Sequence, residues 1–255
     1  MKPLLVQHSV SLTLKRNPAI RRRVNEIEDL VKERSEGRFA MPQVIPIPDE
    51  LDPSVPRLIF VSKAGFSQLL VSQVGVVFNV TYSPDWGADF QRCEDYLRSK
   101  VDLLFKIAEA GWKDSSKPIF TGVTTTFRVP AKDQSDAVSR LAPSFSEAAM
   151  LAKQANELSY RWSLNVDERY YSNIAVSSQV SLKAHAAANA DGIPRFSADN
   201  IEAFGIEVAG DYNDRLAYNL DEHHRTSIEM AQHMIGEGCR SAKEFVERFE
   251  HGHVR

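Results

Sequence analysis

The sequence predicts an α+β protein, a mainly antiparallel sheet in two loosely similar halves with long amphipathic helices packed on one face. Three observations predict it. Short β-patterned runs separated by turn residues occur at 58–82 and again at 158–182. Long stretches of helical period punctuate these strand runs, the order expected of helices laid on antiparallel sheet. The chain of 255 residues, 43% apolar and 25% charged, has the composition of an ordinary folded domain and is long enough to bury a large core.

Residues 4–14 alternate as a first strand. Asn17 then offers an N-cap, Pro18 a first helical position, and Gly37 a left-handed stop, with Ile20, Val24, Ile27 and Val31 on one stripe. Five prolines between Pro42 and Pro56 make the next segment an extended connector wrapped on the body. Runs at 58–61, 66–71 and 76–82, with turns at Lys63-Ala64-Gly65 and near Gly75, read as an antiparallel meander. Ser83-Pro84 opens a helix that Gly111 closes, with Phe90, Cys93, Leu97, Val101, Leu104, Phe105 and Ala108 on one side. Residues 118–129, rich in threonine, form a strand.

The second half repeats this grammar loosely. Residues 133–157 are mostly helical, broken near Pro143 and recapped by 144–146. A hairpin follows at 158–166 and 169–182, turning at Asp167-Glu168, with Tyr160, Trp162, Leu164 and Val166 on one face and Ile174, Val176, Val180 and Leu182 on the other arm. The alanine-rich stretch 183–190 is a loop or short helix, 203–208 a strand, 211–214 a turn and 215–218 a short strand. Residues 226–249 form a last helix weakened by Gly236 and Gly238. The expected division is residues 1–130 and 131–255, packed as one unit.

A formal charge of -3 excludes a global attraction to polyanions, so nucleic acid would need a local basic patch. Cys93 and Cys239, far apart and outside any CxxC pair, suit buried thiols in a reducing compartment. The start lacks a leader pattern, and no run approaches the ~20 apolar residues of a membrane helix. A cytoplasmic protein without a membrane partner is expected.

The N-terminal strand, the proline connector, Pro56-Arg57-Leu58-Ile59-Phe60 with its Lys63-Ala64-Gly65 turn, the Trp86-bearing helix and the strand at 120–127 together resemble a sporadically distributed family of uncharacterised bacterial proteins of similar length. The second half, with 165–171 and 212–219, is only loosely similar to it. The resemblance carries no residue-level chemistry; its patchy distribution implies mobile or defence-related genes and a partner protein encoded nearby.

Three constellations could bind something. Arg16, Arg21, Arg22 and Arg23 crowd a helix start, where the macrodipole favours negative charge, so an anionic partner would compensate them; a solvated face neutralised by Glu26 and Asp29 is the alternative. Asp211, Asn213, Asp214 and Arg215 set carboxylate, amide and guanidinium together, as a binding site or interface anchor would, although Asn and Asp also make turns for their own sake. Glu222, His224, Glu229 and His233 form the densest set of metal-ligand types, without the HExxH or Glu-x-x-His spacing, so a surface Glu/His pair competes with a metal site. The aromatics Tyr160, Trp162, Tyr170 and Tyr171 suit cross-strand packing better than base stacking.

No GxGxxG, GxxxxGK[ST] or GxSxG motif is present, and Glu207-Val208-Ala209 lacks the lysine of an acidic-x-Lys nuclease core. The expectation is a non-catalytic interaction protein of a bacterial or phage accessory locus, holding an antitoxin- or defence-like partner protein, with homo- or hetero-oligomers and no cofactor. The alternatives are a metal-dependent hydrolase or nuclease, and a nucleic-acid-binding module acting through the basic helix.

Overall fold

The computed structural model describes residues 2–142, 155, 157–183 and 198–250. Nine strands among them, β1 (Leu4–Thr13), β2 (Gln43–Val44), β3 (Leu58–Val61), β4 (Ser67–Val71), β5 (Gly75–Thr81), β6 (Phe120–Ala131), β7 (Ser159–Val166), β8 (Tyr170–Leu182) and β9 (Ile201–Asn213), form one antiparallel sheet in the order β2-β3-β4-β5-β1-β6-β9-β8-β7. The fold is α+β. The helices are α1 (Val24–Arg34), α2 (Pro84–Gly87), α3 (Phe90–Arg98), α4 (Val101–Trp112), α5 (Gln134–Leu141), α6 (Arg215–Leu220) and α7 (Ile228–Glu250). Among the described residues no helix is long and apolar enough to cross a membrane.

Local chemistry explains where elements start and stop. The β7–β8 hairpin turns where expected, with Asp167 at φ 51° and Glu168 at φ 54°, two left-handed residues whose twist matches the strands they join. The first helix is shorter than its capping signals suggest. Asn17 Oδ1 accepts from the Ala19 amide at 2.9 Å and its Nδ2 donates to the Gly111 carbonyl at 2.8 Å. Residues 20–23 therefore make a 3₁₀ turn before α1 begins. At its far end Gly37, at φ 69°, donates to the Lys32 carbonyl at 2.9 Å, as a left-handed stop does.

The helix expected from 83 to 111 is three helices. Asp89 breaks it by accepting from the Arg92 amide at 3.1 Å, which recaps the chain, and a second break falls at Ser99-Lys100. At the end of the first piece the backbone of Gly87 passes so close to β1 that a Cβ there would lie 2.2 Å from the Leu5 carbonyl oxygen. The turn at 211–214 and strand at 215–218 are also corrected: β9 runs on to Asn213, paired to β6 and β8 on both sides, and 215–220 is helical. Two ladders of backbone hydrogen bonds outweigh the turn preference of Asp and Asn. Residues 143–154 and 156 of the stretch expected to be helical from 133 to 157, and 184–190 of the stretch expected to be a loop or short helix, lie outside the described residues.

Strand alternation gives the sheet two unlike faces. On one lie Val10, Phe78, Val123, Phe127, Ile174, Val176, Ile206 and Val208, all buried. Helices α3, α4 and α7 pack there: Phe90 meets Phe127 edge-to-face at 5.0 Å and Phe245 meets Trp162 at 5.4 Å. Ala242 lies so close to Gly210 that a Cβ on the glycine would come within 3.0 Å of it. The other face carries Ser9, Ser11, Gly122, Thr124, Asn173 and Asp211, and α6 rests on its end, where Tyr218 meets Phe120 at 6.2 Å.

The proline connector is held by arginines. Arg57, wholly buried, donates to the Val55 carbonyl at 2.6 Å, with its Nε 3.6 Å from an Asp49 carboxylate oxygen.

Candidate functional site

The first half of the chain builds a cavity of about 570 Å³ where the end of α1, the β3–β4 turn, the end of β5, α2 and the α3–α4 junction converge. Phe39, Phe66, Tyr82, Trp86 and Tyr96 supply its apolar walls, and Arg34, Arg38, Lys63 and Lys100 supply charge. None of its lining residues is Asp, Glu, His or Cys. Phe66 stands 57% exposed, unusual for a large apolar side chain and placed among the lining.

The break between α3 and α4 places the polar groups. Lys100 sits on it and turns its ammonium over the Tyr96 ring, 4.7 Å from the centroid, as a cation–π contact. Burial, and then the positive charge of Arg38, push the Lys100 ammonium below the ordinary lysine value, with Glu36 partly offsetting them. Arg38 pairs with Glu36 at 2.8 Å and Arg34 approaches Asp102 at 3.8 Å. Ser67 Oγ lies 3.5 Å from the Tyr96 hydroxyl, the limit of a hydrogen bond. Ser35, 8% exposed, lines the cavity and its hydroxyl has no hydrogen-bond partner among the described residues.

The residues singled out from sequence are disposed otherwise. Arg16 donates to the Asp49 carbonyl at 3.0 Å and to Gln73 Oε1 at 3.1 Å. Arg21 donates to the carbonyls of Ile45, at 2.8 Å, and Ile47, and meets the Asp49 carboxylate at 3.3 Å. Arg23 pairs with Glu26 at 2.7 Å, and Arg22 is exposed. Arg16 and Arg21 thus pin the connector, with Asp49 as the countercharge of Arg21 and Glu26 as that of Arg23.

Asp211 does gather partners, accepting from the Asn173 and Asn213 side-chain amides, each at 2.9 Å, on the polar face of the sheet. Asp214 faces elsewhere. Wholly buried, it accepts from the Thr121 amide at 2.6 Å and the Thr226 hydroxyl at 2.7 Å, and lies 2.8 Å from His224 Nε2. Arg215 instead lies over the Phe120 ring at 5.6 Å. Of the other metal candidates, Glu222 is exposed beside His223, Glu229 is held below the ordinary carboxylate range by hydrogen bonds from the Ser227 side chain and its own backbone, and His233 packs on Tyr170 at 5.8 Å. Among the described residues no three His, Cys, Asp or Glu side chains converge on a metal-sized point.

Sequence reading missed a buried network because its members lie far apart in the chain. Cys239 Sγ approaches His8 Nε2 at 3.4 Å across 231 positions, and His8 Nδ1 lies 3.1 Å from the Tyr82 hydroxyl, which donates to the Cys93 carbonyl at 3.1 Å. A cysteine–histidine contact suggests a nucleophile, but the electrostatics oppose it. Burial pushes His8 down to about 3 and both thiols up to about 12, so the neutral forms persist and no thiolate–imidazolium pair forms. The cavity had one weak sequence signal: Tyr96 and Lys100 are four apart, the spacing that stacks side chains on a helix. Set against models of known protein families and against curated proteins, the chain matches none.

Proposed function

We propose that this chain is a non-catalytic interaction protein that holds a partner protein, an acidic and apolar segment of the partner entering the cavity. The single observation that carries the reading is the composition of the lining: four cations, five aromatic rings and no carboxylate, imidazole or thiol. Catalysis by acid–base or nucleophilic chemistry needs paired groups within hydrogen-bond reach. In the cavity the Lys100 ammonium lies over the Tyr96 ring and the Tyr96 hydroxyl has only the Ser67 hydroxyl beside it, at 3.5 Å, so no general base faces a nucleophile there. Binding has what it needs: apolar surface for affinity and fixed charge for orientation. On a chain of net charge -3, this local basic lining favours an acidic partner over a generic one.

The resemblance seen in the sequence supports a bacterial or phage accessory locus, with the partner encoded nearby and of antitoxin or defence-component type, and a complex residing in the cytoplasm. The metal-hydrolase alternative has no converging ligand set among the described residues, and in the basic-helix alternative Arg16 and Arg21 are already engaged by the connector.

Parallel purification from the source cells of the tagged chain and of a Phe66→Asp variant tests this reading. Phe66 is exposed, so the variant keeps the fold while placing an acid among the lining. A partner that accompanies the wild type and is lost from the variant is expected. The reading fails if the variant keeps the same partner in full, or if the wild type emerges alone with turnover on a substrate.

A further inference from the structure

We propose that the cavity recognises a carboxylate carried on an apolar body of aromatic size, the chemistry shared by a polypeptide C-terminus ending in a bulky residue and by a free arylalkanoic acid. This rests on the reading of the cavity as a binding site and specifies what enters it. The volume of about 570 Å³ is that of an organic ligand, too large for a bare ion and too small for a folded element. Aromatic walls set the body: ring faces and edges pack against planar or branched apolar groups.

Two observations set the head group. Ser35, more than nine-tenths buried, is one of the lining residues and its hydroxyl has no partner among the described residues, a state that an acceptor reaching it relieves. Lys100 has no carboxylate within salt-bridge distance among the described residues, only the Tyr96 ring, and its half-buried ammonium is disfavoured by Arg38. An anion beside it supplies the missing countercharge. Charge count then limits the head. Arg34 and Arg38 already face Asp102 and Glu36, and Lys63 is exposed to solvent, so a singly charged group beside Lys100 fits better than a polyphosphate.

Calorimetric titration of the intact chain tests this with four probes: the peptide acetyl-Gly-Ser-Gly-Ser-Trp as free acid, the same peptide as C-terminal amide, indole-3-propionate, and inorganic phosphate. The free acid is expected to bind about tenfold or more tightly than the amide, the effect of one charge-assisted hydrogen bond. Lys100→Gln should erase that difference at unchanged melting temperature, and Ser35→Ala should reduce it. Indole-3-propionate displacing the peptide at similar affinity assigns the site to a free acid, and its failure to do so assigns it to a chain end; either supports the proposal. Equal binding of acid and amide, no binding of either acid, or phosphate binding as tightly as the acids overturns it. Loss of the co-purifying partner in Phe66→Asp alongside equal binding of acid and amide would overturn this inference while leaving the partner-holding reading in place.

Discussion

His8 gives the core a dependence on acidity whose size follows from its surroundings. It is 1% exposed, between Tyr82 and Cys239, and burial lowers its pKa from 6.5 to about 3. The native state therefore holds His8 neutral while the unfolded chain protonates it freely. Stability from this source is complete above the unfolded value and is lost as pH falls from 6.5 towards about 3, below which no more is lost. Taking these two values, the loss between about pH 7 and about pH 5 is about 2 kcal/mol. Urea denaturation followed by tryptophan fluorescence should show the wild-type midpoint falling by roughly 0.7 to 1 M over that interval, for a slope of about 2 to 3 kcal/mol per molar. In His8→Gln the midpoint is lower at neutral pH, because packing is lost, but its decline over the same interval should be smaller by that amount. The comparison cancels the other histidines. Equal declines in the two proteins would show that His8 protonates in the native state, and the buried neutral network would be wrong.

Gly87→Ala sets helix propensity against packing. Alanine favours a helix by about 1 kcal/mol, but its Cβ would lie 2.2 Å from the Leu5 carbonyl oxygen, so backbone must move and a net loss of about 1 to 3 kcal/mol is expected. A melting temperature at or above wild type would refute that close approach. Asp214→Asn keeps the shape of a buried acceptor that serves the Thr121 amide, the Thr226 hydroxyl and His224, but turns a donor towards donors. A loss of about 2 to 4 kcal/mol by denaturant titration is expected, and a change under about 0.5 kcal/mol would show that the carboxylate is not needed there.

The sheet was legible where its signals are local. Asp167-Glu168 marks the β7–β8 hairpin, and the alternation of residues 4–14 and the runs from 58 to 82 place β1 and the meander. What escaped depended on distant partners. Asp89 recaps α3 just after the chain passes Leu5 at Gly87, and 211–213 stays extended because β6 and β8 flank it. Gly236, read as a weakness of α7, makes room for Arg98, whose guanidinium donates to the Gln232 carbonyl at 2.6 Å. The cavity joins residues from Arg34 to Leu103 on separate elements, none of which carries a motif. Asp211 and Asn213 do meet as the sequence suggested, with Asn173 as the third member that no local pattern announced.

Amide hydrogen exchange on the chain, alone and with its co-purified partner, tests the central claim most directly. Protection on binding should concentrate in residues 34–39, 62–67 and 96–103, three of the stretches that frame the cavity. Protection confined to the polar sheet face around Thr124, Asn173 and Asp211, with those three stretches unchanged, would contradict the account and move the partner to the other side of the sheet.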